Sequence, residues 1–156
     1  MSVLCGWASI GENGGRNNRA GDQTGREVKL GNWYRFGQTT VYRWKSRTNA
    51  TRYAKIIKAF CKNEHIGYDM NDRTTLYNLL AKNKWDYKSV NRNVECDCSQ
   101  LVACAINCTM GKAVCSSGMW TGNLGTQLMN SGLFDKLTGS KYTDSPDYLK
   151  TGDIIN

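Results

Sequence analysis

Val94-Glu95-Cys96-Asp97-Cys98-Ser99-Gln100-Leu101-Val102-Ala103 turns from polar to helically periodic within a few residues, and the rest of the chain can be arranged around it. Asp97-Cys98-Ser99 stands directly before an apolar run, Leu101, Val102, Ala105 and Ile106, at helical spacing. Asp97 is therefore a candidate N-cap, with Cys98 in the first helical turn. A thiol at a helix start feels the partial positive charge of the N-terminus, which favours thiolate, the nucleophilic form. The plainer reading of the same residues is a small buried cysteine opening a core helix.

With 156 residues, the chain reads as one domain over 1–156, long enough to bury a core. Aromatics make up 10% and charged residues 22% without long single-sign blocks, which excludes a disordered class. No apolar run is long enough to cross a bilayer, so no membrane partner is expected. Met1 to Ile10 lack a basic segment followed by an apolar stretch, which predicts synthesis in a cytoplasm without a signal peptide. Seven cysteines cannot all pair within one chain, and their spacing lacks the paired C-x-x-C units of a zinc site. Reduced, mostly buried thiols are expected, with no metal and no cofactor. The net charge of +8 suits a polyanion, but the basic residues are scattered among Asn, Thr and Gly. Nucleic-acid binding therefore rests on charge alone, and anionic cell-wall polymers fit equally well.

Either side of the Cys98 segment, Gly11 to Gly25 is glycine- and asparagine-rich and predicts an irregular loop, either a surface connector or a ligand-lining one. Glu27 to Tyr34 and Thr39 to Lys45 read as strands joined at Gly37 and Gln38 in a hairpin-like pairing. Ala50 to Asn63 reads as an amphipathic helix through Tyr53, Ile56, Ile57, Phe60 and Cys61. A second helix, capped by Asp69 or Asn71, carries Leu76, Leu79 and Leu80 and ends near Asn83. In the polar stretch that follows, Trp85 and Tyr87 are the expected anchors. The Cys98 helix should run to about Cys108 and stop at Gly111. Gly118 to Asn123 reads as a loop, Leu124 and Leu128 as a short helix closed by Gly132, and Leu133 to Leu137 as a strand. Asp144 to Asp147 reads as a turn and Tyr148 to Ile155 as a closing strand. The expected class is α+β, with the Cys98 helix packed against a small antiparallel sheet.

A cysteine nucleophile needs a base, usually histidine, oriented by a third polar group. The single histidine, His65, falls at the end of the first helix, where a positive imidazole favours the helix dipole; a capping or surface role explains it better than catalysis.

Asp97-Cys98-Ser99-Gln100-Leu101-Val102 resembles the D-C-S-x-L-V motif of NlpC-type, papain-like cysteine peptidases. The chain is similar, more closely, to phage and prophage peptidoglycan hydrolases of Gram-positive bacteria. The matching stretches are Ala20 to Val28, Trp33-Tyr34, Ile66 to Asp69, Thr75 to Asn78, Met119 to Asn123, Ser140 to Thr143 and Tyr148 to Ile155. The resemblance implies a papain-like fold and acyl transfer on an amide of the wall stem peptide. Cys98 would be the nucleophile and its backbone N–H an oxyanion donor, with Asp97 as helix cap. It also picks out Gly21, Asp22 and Gln23 as candidates for the substrate groove.

In that family a strand like Gly152-Asp153-Ile154-Ile155 is followed by a G-H-[ST]-A segment carrying the base histidine, and here the sequence stops at Asn156. The resemblance thus implies an incomplete sheet lacking its C-terminal strands, with a second chain or a C-terminal segment supplying the histidine. The expected partner is bacterial peptidoglycan, met after synthesis in a host cytoplasm from a phage or prophage gene. The competing expectation is a non-catalytic wall-binding or phage structural module of the same fold.

Overall fold

The computed structural model describes residues 2–156. In chain order the strands and helices are β1 (Leu4–Ala8), β2 (Val28–Asn32), β3 (Val41–Trp44), α1 (Arg47–Phe60), β4 (Ile66–Tyr68) and α2 (Thr75–Lys82). They continue with β5 (Val94–Cys96), α3 (Cys98–Met110), α4 (Thr121–Asn130), β6 (Phe134–Leu137), α5 (Ser140–Thr143) and β7 (Ile154–Ile155). The architecture is mixed α/β with three small sheets: antiparallel β1–β2, antiparallel β6–β3–β7, and parallel β4–β5.

α1 begins where the Ser46 hydroxyl accepts the Asn49 N–H at 3.2 Å, and it buries Ala50, Tyr53, Ile56, Ile57 and Phe60 on one face. α3 is enclosed more completely. From Ser99 to Thr109 only Val102 escapes full burial, and Gly111 ends the helix in the left-handed region at φ 67°. Its most extensive packing is against α1, with α2, α4, β1 and β5 also in contact. The helix is therefore surrounded mainly by other helices, and the strand leading into it, β5, lies in the parallel sheet. β3 is the centre of the other sheet, where Trp44 meets Phe134 at 4.3 Å and Tyr53 at 5.7 Å between ring centroids.

The expected hairpin between 27–34 and 39–45 does not form. β2 pairs with β1 from Leu4↔Asn32 to Ala8↔Val28, while β3 pairs with β6 and β7. The strand at β1 carries little periodic signal because Gly6 stands in its middle. That glycine is needed by packing: a Cβ there would lie 2.5 Å from Ile57 Cγ2 on α1. α2 is not capped by Asp69 or Asn71. Its N-cap is Thr74, and Asp69 closes the preceding turn, accepting the Asn71 and Asp72 N–H groups at 2.6 and 3.1 Å. The stretch read as a loop to Asn123 is already helical from Thr121, because the Asn123 side chain turns back to accept the Trp120 N–H at 2.8 Å. The closing strand is confined to Ile154–Ile155, since Pro146 to Tyr148 form a turn of 3₁₀ helix.

Candidate functional site

Cys98 stands at the junction of β5 and α3, and its position follows from its neighbours. Asp97 is extended and caps α3, its Oδ1 accepting the Gln100 N–H at 2.7 Å and the Ser99 hydroxyl at 2.7 Å. Its other oxygen, Oδ2, pairs with Arg73 Nη1 at 2.8 Å, and the same guanidinium donates to the Met119 carbonyl. The buried Gln100 amide donates to the carbonyls of Met119 and Ser117 at 2.8 and 3.0 Å. These bonds fasten the 117–119 segment to the start of α3. Thr121 consequently arrives beside the thiol, with its Oγ1 3.8 Å from Cys98 Sγ.

Of the seven cysteines, Cys98 is the exposed one. Burial pushes the Cys61, Cys108 and Cys115 thiols up to about 12, and raises Cys96 and Cys104 well above the ordinary value. Those groups stay protonated near neutral pH. As the first residue of α3, Cys98 has no carbonyl a turn earlier to bond its N–H, so that donor is free to face an oxyanion. Tyr68, buried at the end of β4, belongs to the same corner. Its hydroxyl pKa is raised, first by burial and then by the charges of Cys98 and Asp97.

His65 is at the other end of the sheet. β4 and β5 are parallel, with Ile66 opposite Val94, and His65 Nδ1 lies 2.8 Å from Asn93 Oδ1. Five residue steps along the chain then separate the level of Asn93 from Cys98, roughly 16 Å at the rise of a strand. The imidazole cannot take the Cys98 proton in this fold. Among the described residues, the side-chain hydrogen-bond partner of Cys98 Sγ is the Thr121 hydroxyl alone.

Gly21, Asp22 and Gln23 lie on the glycine-rich loop, which runs alongside β4 in the opposite direction. Asp22 N–H bonds the Glu64 carbonyl at 2.8 Å, and Met70 N–H bonds the Arg16 carbonyl at 2.8 Å. The loop's Arg16 to Asn18 end is therefore the one near Cys98, and the three predicted residues lie toward the His65 end. Their groups are also engaged. Asp22 Oδ1 accepts the N–H groups of Thr24 and Gly25 at 3.1 and 2.6 Å, and Gly21 N–H donates to the buried Glu95 carboxyl at 2.7 Å. The structure does not bring Gly21, Asp22 and Gln23 together with Cys98. They build the loop's docking.

Beside Thr121 opens a groove of about 450 Å³ between α4 and the face of β3 and β6. Sequence reasoning missed Arg73, Tyr68 and Thr121, because nothing local marks an arginine, a tyrosine or a threonine as the neighbour of a residue 23 to 30 positions away. Among the described residues no group of three or more His, Cys, Asp or Glu side chains is arranged to hold a metal ion.

Searches of curated proteins and of solved structures returned no match. The profile of the endolysin-like domain matches residues 5–156, which takes in every strand but the first residue of β1, all the helices, and the Cys98 corner. The chain belongs to the endolysin-like domain family, a phage lysin-like family.

Proposed function

We propose that this chain is the nucleophile-bearing part of a papain-like, NlpC-type peptidoglycan hydrolase that cleaves an amide of the wall stem peptide through Cys98. The observation that carries the reading is the exposed thiol at the start of α3, beside a backbone N–H with no intrahelical partner. Family membership supplies the lysin context.

The thiolate attacks the amide carbonyl carbon, forming a C–S bond while the oxyanion faces the Cys98 N–H. The C–N bond then breaks as the leaving amine takes a proton from an imidazolium. Water attacks the thioester, releasing the carboxylic acid and restoring the thiol. Asp97 holds the helix start and does not react, being engaged by Arg73, Ser99 and Gln100. In this reading the imidazole comes from polypeptide other than residues 2–156, either a following segment or a second chain. The protein would be made in the cytoplasm of a phage-bearing host and act on the wall. The lack of a base within bonding reach of Cys98 among the described residues favours one competing reading, a wall-binding module without catalysis.

The test is lysis of purified cell walls by the natural protein carrying Cys98→Ala. Lysis should fall by at least three orders of magnitude while the circular dichroism spectrum is unchanged, as expected for loss of a covalent nucleophile. Undiminished lysis sinks the nucleophile assignment.

A further inference from the structure

We infer that the groove between α4 and the β3–β6 face is the subsite that holds the stem peptide beside Cys98, with Tyr42 and Lys136 as its recognition groups. The inference rests on the reading of Cys98 as the nucleophile, because Thr121 belongs both to that groove and to the Cys98 corner.

Tyr42 carries the argument. Its side chain is only 4% exposed, yet its hydroxyl takes part in no side-chain hydrogen bond among the described residues, and it lines the groove. A hydroxyl held on a buried ring, opening into a groove and without a side-chain partner, is free to bond a ligand that enters there. Its position is fixed by α4: a Cβ on Gly125 would lie 2.2 Å from that hydroxyl oxygen. Only glycine lets the helix approach so closely, so Gly125 keeps the Tyr42 hydroxyl at the groove floor. Tyr42 and Lys136 are directly opposed in the antiparallel β3–β6 pair and therefore project from the same face of the sheet. Among the described residues that line the groove, Lys136 brings the one charged side chain; Thr121 and Thr126 on α4 add hydroxyls.

Such a surface suits a polar, extended peptide bearing a carboxylate better than an apolar ligand. The Tyr42 hydroxyl would donate to a peptide carbonyl, the Lys136 ammonium would pair with the carboxylate, and the next amide along would lie over Cys98. Stem peptides of bacterial walls, which carry free carboxylates, have this chemistry.

The test uses the 156-residue chain with Cys98→Ala, isotope-labelled and titrated with disaccharide–tetrapeptide fragments released from purified Gram-positive walls. Amide resonances of Gly122, Gly125 and Thr126 should move. Tyr42→Phe, which removes the hydroxyl and keeps the ring, should weaken binding about five- to tenfold. Lys136→Gln, on an exposed position, should weaken it and remove most of its salt dependence. Perturbations confined to another face, or binding unaltered in both variants, overturn the groove assignment. Because binding is read without catalysis, the two proposals fail separately. Groove binding together with lysis that survives Cys98→Ala sinks the nucleophile alone; loss of lysis without groove binding sinks the subsite alone.

Discussion

Asp97 does more for the molecule than its place beside a reactive cysteine suggests. Its carboxylate is 7% exposed and serves three partners: the Gln100 N–H, the Ser99 hydroxyl and the Arg73 guanidinium. Asp97→Ala removes a helix cap and leaves Arg73 half-buried without its counter-charge. The expected loss is of order 2–4 kcal/mol, read as a drop in the denaturant midpoint at unchanged slope. Arg73→Met should cost less, because Asp97 keeps its N–H and hydroxyl donors. Equal losses for the two variants would mean that the ion pair, not the cap, holds the helix start. The Cys98 thiol itself could be picked out in the sequence by its D-C-S context, but its exposure could not. Cys96 and Cys104, within a few residues of it, are fully buried.

At the scale of elements, the glycine-rich loop is the unusual one, since it is docked on the buried carboxyl groups of Glu27 and Glu95 and braced internally by its own half-buried Glu12. Gly21 N–H donates to Glu95 at 2.7 Å, Gln23 N–H to Glu27 at 3.1 Å, and Arg19 N–H to Glu12 at 2.7 Å. Burial above all pushes Glu27 up to about 7 and Glu95 up to about 8, against the pull of those backbone donors. Glu12 Oε2 and Glu27 Oε1 find no hydrogen-bond donor among the described residues, and after burial the neighbouring Glu12 carboxyl adds to the rise at Glu27. In the unfolded chain these acids release their protons in the ordinary range, near pH 4.3. Between that pH and about 8 the folded state binds more protons, so stability present in mild acid is lost as pH rises through the window. Thermal melts should therefore peak near pH 5 and decline toward pH 8. Glu95→Gln, which preserves an acceptor for Gly21, should flatten the decline; an unchanged slope in that variant would place the titration elsewhere.

On the scale of the whole molecule, the separation of His65 from Cys98 is decided by strand direction. A parallel β4–β5 pair puts the start of β4 and the end of β5 at opposite ends of the sheet. His65→Gln should leave the pH profile of Cys98 alkylation by iodoacetamide unchanged, measured by mass spectrometry of the labelled peptide. A shifted profile would show that the imidazole reaches the thiol. The same strand order explains why the loop residues Gly21 to Gln23, next to Glu64 and Glu95, fall short of the Cys98 corner.

The sequence by itself determined the local elements whose signals are short-range: the amphipathic face of α1, the Asp97 cap, the Gly111 stop and the apolar run of α3. Each depends on neighbours within a turn or two, so periodicity and capping chemistry suffice. Only the tertiary structure decided which strands pair, that α3 is wrapped by helices, that Thr121 and Arg73 meet the Cys98 corner, and that Tyr42 is left with a free hydroxyl over Gly125. Those relations join residues tens of positions apart. They are fixed by which buried polar groups find partners and which backbones can approach closely, and no local window of sequence contains that information.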